Sequence, residues 1–338
     1  MKRFSCIAVP GGAGYVGSVL VPRLLQEGYR VKVLDIFLYG REPLAAVADH
    51  PQLELIKGDV RDTAAVSKLL DGCDAVIHLA CISNDPSVEL DPDLSHSINF
   101  ECFGPFVQSA RAAGVKRFVF ASSGSVYGVS ESPDVTEEHP LVPVSLYNKY
   151  KARCEPVLQA AAAPGFVPVL VRPATICGYS PRQRLDLTVN ILTSHAYFHR
   201  RITVFGGSQM RPNLHMQDMV DLYCLLLEAD DAKVYNQIFN AAYQNYSVTQ
   251  TAEIIQGVFR KEFPEWEEVP ILTQPGDDIR SYHMSSEKLG RVLGFVAKRT
   301  IEDGARDLLQ AFRQNLLPGA PDHERYNNVR HMKGACLK

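Results

Sequence analysis

Val9-Pro10-Gly11-Gly12-Ala13-Gly14-Tyr15-Val16-Gly17 sets the frame for the whole chain. The apolar run before it, Cys6-Ile7-Ala8-Val9, reads as a buried strand. Val19, Leu20, Leu24 and Leu25 follow it at helical spacing. A strand, glycines at three-residue spacing and a helix are the arrangement of a dinucleotide-binding turn. In that reading Gly11 permits the tight turn, Gly14 lets backbone approach a pyrophosphate, and Gly17 lets the helix pack close to the strand. Tyr15 and Val16 then stand at the helix N-terminus, where unpaired N–H groups and the positive dipole end favour phosphate. The spacing is G-x-x-G-x-x-G rather than G-x-G-x-x-G, so the turn alone is a weak signal.

With 338 residues and 46% apolar side chains, the chain can build one large domain or two intimately joined ones around a sizeable core. A net charge of -3 argues against general nucleic-acid binding. No apolar run reaches the roughly 18 residues of a membrane span. The N-terminus passes directly into a strand, without the pattern of a signal peptide. The eight cysteines are scattered and form no C-x-x-C pair, as expected of reduced thiols. A cytoplasmic protein with no metal site, no nucleic-acid partner and no membrane contact is therefore expected.

Strands are predicted near Ser5–Val9, Tyr29–Leu34, Leu53–Lys57, Ala75–Leu79, Arg117–Ala121 and Val167–Arg172. Helices are predicted between them, for instance over Asp62–Leu70 and Asp93–Ala113. Such alternation predicts an α/β fold whose parallel sheet is doubly wound by right-handed crossovers. Residues 1–178 would form the dinucleotide-binding domain, with the sheet completed by about 215–242. Residues 179–214 and 243–317 would form a smaller, interleaved C-terminal region for substrate, ending in an amphipathic helix over Gly304–Leu316. The tail from Pro318 to Lys338 shows no periodicity and reads as a loosely packed extension or a subunit contact.

Candidate site residues fall at strand ends, where such sheets bind ligands. Asp35 lies 18 residues after Gly17, near the place of a carboxylate that bonds the adenosine ribose. Its charge favours NAD over NADP, although Arg41 leaves some NADP use open. Asp59, followed by Val60, either accepts from an adenine amino group or caps the next helix. His78-Leu79-Ala80 ends the fourth strand; His78 reads as structural, and Leu79 and Ala80 as backbone beside the cofactor. Ser122, Ser123 and Ser125 end the fifth strand and suit a polyhydroxylated substrate. Tyr147 and Lys151 share a helix face one turn apart, and Glu155 continues it. A phenol titrates near about 10, so it needs a neighbouring cation to serve as a base. Lys151 and an oxidised nicotinamide would supply that charge.

Taken in order, these segments resemble the extended short-chain dehydrogenase/reductase family, the NAD-dependent epimerase/dehydratase group that acts on nucleotide sugars. The resemblance covers residues 1 to about 315. It implies a Rossmann sheet, NAD as cofactor, and Ser123, Tyr147 and Lys151 as the catalytic set. It matches Asn99 to the asparagine that supports the active site, and His78-Leu79-Ala80-Cys81 to the family's H-L-A-A. For the substrate it implies Asn84, Ser123, Ser125, Thr175 and Asn190, with Thr175 standing where many members have asparagine. Arg211 in Arg211-Pro212-Asn213-Leu214-His215 would grip the diphosphate, with Arg280 of Ile279-Arg280-Ser281-Tyr282 as a second phosphate ligand. His215 and Asp218 read as structural. Ser180-Pro181-Arg182-Gln183-Arg184-Leu185-Asp186 resembles a variant of bacterial polysaccharide-pathway members; Arg182 and Arg184 either bind phosphate or form exposed salt bridges.

The expected activity is an NAD-dependent sugar-nucleotide epimerase that oxidises one sugar carbon, C4 in the leading reading. A keto-reductase, a 4,6-dehydratase and a non-catalytic NAD(P)-binding sensor are the alternatives. Dehydratases of the family place a carboxylate directly after the active serine or threonine, where this chain has Gly124 and Ser125. The resemblance also implies a homodimer that pairs Asp93–Ala113 and Ser145–Ala163 in a four-helix bundle.

Overall fold

The structure is a computed structural model that describes residues 2–276, 278 and 280–335. Strands β1 (Cys6–Pro10), β2 (Arg30–Asp35), β3 (Leu53–Lys57), β4 (Ala75–His78), β5 (Arg117–Ala121) and β6 (Val167–Pro173) match the apolar runs to within one residue at each end. The later strands are β7 (Thr175–Cys177), β8 (Ile202–Phe205), β9 (Met210–His215), β10 (Gln237–Ala241), β11 (Gln244–Ser247) and β12 (Ile271–Gln274). Helices α1 (Gly17–Gln26), α2 (Thr63–Leu70), α3 (Asp85–Val88), α4 (Pro92–His96), α5 (Phe103–Ala112) and α6 (Leu146–Ala160) alternate with the first six strands. Then come α7 (Thr188–His199), α8 (Met216–Glu228), α9 (Asp231–Val234), α10 (Val248–Glu262), α11 (Glu287–Leu293), α12 (Ile301–Arg313) and α13 (Asn328–Gly334).

The main sheet is parallel throughout, with the order β10-β6-β5-β4-β1-β2-β3. Chain order reverses between β1 and β4, which makes their carboxyl ends the ligand crevice of a doubly wound sheet. Both faces are buried, so the strands read as near-continuous apolar runs. In β1, Ile7 and Val9 face a core shared with Leu20 and Leu24 of α1 and Leu222 and Leu226 of α8. Cys6 and Ala8 face the opposite core, with Leu69 of α2, Phe106 of α5 and Leu158 of α6. Two smaller sheets, β11-β9-β7 and β12-β8, flank a separate core built from α7, α10 and α12. None of the described helices is long and apolar enough to cross a membrane.

Three boundaries differ from the sequence expectation. The helix expected over Asp93–Ala113 is broken into α4 and α5 by a wider turn at Ser97–Glu101. Pro105 has no N–H to give the Glu101 carbonyl, so an unbroken helix would lose a bond there. The amphipathic helix expected from Gly304 begins at Ile301, because Thr300 and Asp303 form a capping box. It is not the last element: α13 follows within the tail, capped by Asn327.

Candidate active site

The carboxyl ends of β1, β2 and β4 open into a cavity of about 690 Å³ that runs on between the two regions. Its floor is the glycine turn. Gly11 has φ +79, and a Cβ on it would lie 2.6 Å from the Ala80 nitrogen. A Cβ on Gly17 would lie 2.5 Å from the Gly12 carbonyl oxygen. The turn therefore tolerates no side chain at these positions, and Gly14, Tyr15 and Val16 line the cavity beside it. Such a backbone cradle at a helix N-terminus fits a dinucleotide pyrophosphate.

Asp35 stands at the edge of that cradle. Its carboxylate accepts from the N–H of Ala13 at 3.0 Å and of Phe37 at 2.8 Å, which fixes it against the turn. Burial raises its pKa above the usual carboxylate value, while the two N–H groups and Arg182 oppose that shift. Arg41 does not line the cavity; its guanidinium lies 4.7 Å from the Phe37 ring centroid. Of the two readings of Asp59, the cap is taken by Asp62, which accepts from Ala64 N. Asp59 is held by Arg61 in a two-point pair and lines the cavity together with Val60, Leu79 and Ala80.

Ser123, Tyr147 and Lys151 come together on one wall. Ser145 caps α6 by accepting from Asn148 N, and so aims Tyr147 and Lys151 from the first two turns of that helix toward β5. Lys151 donates to the Ala121 carbonyl at 2.6 Å and stands 5.9 Å from the Tyr147 ring centroid. Ser123 Oγ is 2.7 Å from Ser125 Oγ, and Ser125 donates onward to Asn148. Burial holds the Tyr147 phenol well above its ordinary pKa, with Cys81 and Asp85 adding to the effect. Arg184 and a hydrogen bond with Ser123 pull it back down. The Lys151 ammonium, expected to lower it, stays beside the ring with its hydrogen bond on the Ala121 carbonyl. Of the serines, Ser122 turns its hydroxyl away and donates to Glu155 at 2.6 Å.

At the far end Arg211 and Arg280 converge on one carboxylate. Arg211 Nη2 is 2.7 Å from Asp278, Arg280 grips Asp278 through two nitrogens, and Arg280 also pairs with Asp85. Both arginines, Asn84 and Thr175 line the cavity, whereas Ile279 lies outside the described residues. Asn84 bonds Asp186 at 3.2 Å.

Two candidate residues sit behind the wall instead of in it. Asn99 grips the backbone N–H and carbonyl of Ile82, and Asn190 bonds Tyr15 Oη, Gly178 N and the Arg184 carbonyl. Neither lines the cavity, so both support it from the second layer. His78 is buried among Phe103, Phe106, Phe118 and Phe120, and burial pushes its pKa down to about 3. His215 pairs with Asp307 and Asp218 with Arg299, both away from the cavity. Arg182 and Arg184 form no exposed salt bridges: they are 4% and 8% exposed and line the cavity. The cavity residues that the sequence reading did not name as site residues include Asp85, Asp186, Asp278, Tyr223 and Tyr282, together with Asn327, Val329 and Met332 of the tail. Asn327 as a cap, followed by apolar residues at 329 and 332, was the available signal for the last three.

Residues 7–242 match the model of the NAD-dependent epimerase/dehydratase family. The chain belongs to that family. It is 28% identical over 316 residues to a UDP-glucose 4-epimerase of Lactobacillus helveticus, covering 86% of this chain and 92% of the relative. It is 29% identical to a dTDP-glucose 4,6-dehydratase of Streptomyces griseus, covering 88% of this chain and 91% of that one. The fold matches a dTDP-glucose 4,6-dehydratase of Streptomyces venezuelae solved with NAD bound, at a TM-score of 0.81 and 24% identity, covering 92% of this chain and 97% of that one. NAD is the family's cofactor, and the side-chain-free turn at Gly11 and the carboxylate of Asp35 fit it here.

Proposed function

We propose that the protein is an NAD-dependent 4-epimerase of a nucleotide-activated sugar. Bound NAD supplies the acceptor, and later the donor, of one hydride. Tyr147 takes the proton of the sugar's C4 hydroxyl and afterwards returns it. Ser123 hydrogen-bonds that hydroxyl and the phenol. Burial disfavours the phenolate, so the base depends on added positive charge nearby. Lys151, 4% exposed and fixed on Ala121, keeps a cation beside the ring. Arg211 and Arg280 hold the diphosphate, for which guanidinium groups suit the paired oxygens.

The observation that carries the choice of epimerase lies directly after Ser123. A 4,6-elimination needs an acid for the departing hydroxyl, and this chain has Gly124 and Ser125 there. A Cβ on Gly124 would stand 2.3 Å from Sδ of the buried Met284 and 3.2 Å from the Pro173 carbonyl, so Met284 would have to move to admit a carboxylate. The other cavity carboxylates are engaged. Asp35 accepts backbone N–H groups, Asp59 pairs with Arg61, and Asp186 with Arg184. Asp278 pairs with both site arginines, and Asp85 with Arg280 and Ser145. Each carboxylate among the described cavity residues thus has a partner already, which supports the epimerase reading.

The test is incubation with UDP-, GDP-, CDP- and dTDP-hexoses, followed by mass analysis and sugar stereochemistry. An altered stereocentre at unchanged mass is expected. Loss of one water would move the protein to the dehydratases. A gain of two hydrogens on a keto-sugar with added NADH would move it to the reductases.

A further inference from the structure

The tail is built into the cavity. Asn327, Val329 and Met332 line it on the same inner surface as Asp35, Tyr147 and Lys151. Asn328, 2% exposed, ties the tail to the loop after β7 and to the loop after β4. Its Oδ1 accepts from Arg182 Nη2 at 2.6 Å, its Nδ2 donates to Ser83 Oγ at 2.9 Å, and its backbone N–H donates to Asp186 at 3.0 Å. One turn on, His331 Nε2 lies 2.9 Å from the Leu38 carbonyl, and its ring packs on Tyr39 with centroids 4.7 Å apart. Met332 joins Ile82, Val88 and Tyr150, with Leu38 and Tyr147 packed against them. At its base the tail is fastened by Leu185 N to the Tyr326 carbonyl at 2.8 Å.

The segment thus reaches from the loop after β2, three residues past Asp35, to the loop after β4. Its contacts fall on either side of β1, next to which strand order reverses, and it lines the same cavity as Gly11, Gly14 and Asp35. We propose that residues 323–335 form a clasp over the bound dinucleotide, that NAD leaves only when the clasp opens, and that Asn328 is the positioning residue that holds it shut. A reaction that oxidises a sugar and then reduces it again gains from such a device, because the same cofactor must stay in place while the keto-sugar turns. The clasp is one short turn and the seven-residue α13, and the hydrogen bonds named above tie it to loops and to no strand of the main sheet, so it can open without unfolding that sheet.

The proposal rests on the NAD site and not on the sugar reaction. Its test therefore uses no sugar: stopped-flow fluorescence of NADH release, chased with excess NAD. The full chain is compared with Asn328→Ala and with a chain ending at Asp322. Both variants are expected to release NADH at least about tenfold faster, the effect of losing one or two hydrogen bonds to a charged group. The thermal transition of unliganded Asn328→Ala should stay near that of the full chain, which separates clasp opening from general destabilisation. If the shortened chain does not fold, Asn328→Ala decides alone. NADH release at the full chain's rate would overturn the clasp while leaving the cofactor assignment intact. A full chain that binds no NADH would overturn both.

Discussion

Tyr147→Phe is expected to bind NADH as the unaltered chain does and to lose turnover of its nucleotide sugar by about 10²–10⁴-fold. The ring is held by its neighbours and the oxygen carries the chemistry. Tyr147 packs against the small apolar group of Ile82, Val88, Tyr150 and Met332, contacts that phenylalanine keeps. What it removes is the phenol hydroxyl, which hydrogen-bonds Ser123 and stands on the helix face of Lys151. The loss should appear in kcat, because the proton moves only in the transition state. Turnover within tenfold of the unaltered protein would show that another group is the base.

Glu155→Ala is expected to cost about 3–5 kcal/mol of folding stability, the usual effect of stranding one partner of a buried ion pair. Glu155 and Arg172 are 2% and 3% exposed and meet through two contacts, at 2.6 and 3.0 Å. The carboxylate also accepts from Ser122, and Arg172 reaches Tyr127 at 2.7 Å. Burial works against the Arg172 charge, and the Glu155 carboxylate more than restores it, holding its pKa above the ordinary value. Without Glu155 that charge stays buried and unpaired. Urea unfolding checks this: the midpoint should fall with little change in slope. The double variant E155L/R172M removes the charge with its partner and should recover part of the loss. A single variant as stable as the parent would contradict the pairing.

The glycine turn was legible because its demands are local. Positive φ at Gly11 and contact with the Ala80 backbone leave room for no other residue, so sequence spacing records them directly. The strands were legible because a sheet buried on both faces leaves few polar positions, such as Lys32 of β2 and Glu54 of β3, to interrupt the apolar runs. Tyr147 and Lys151 could be paired from helical periodicity alone. Side-chain commitments across long separations were not legible. Arg280 meets Asp85 from 195 residues away, and Asn328 meets Arg182 from 146, with no local pattern to mark either pair. The turn at Ser97–Glu101 was hidden because each residue there is tolerated in a helix, and only the proline four positions beyond Glu101 interrupts it. Asn99 and Asn190 came from resemblance, which gives identity at a position but not whether the side chain faces the cavity or braces its wall.

The most direct test of the central claim follows a label. A nucleotide hexose deuterated at C4 is incubated with the purified protein in ordinary water, without added cofactor, and both sugar epimers are recovered. If Tyr147 handles only the hydroxyl proton while hydride shuttles to and from the retained NAD, both epimers will carry deuterium at C4 at unchanged mass. Loss of the label to water in the epimerised product, or formation of that product only when NADH is supplied, would contradict the account.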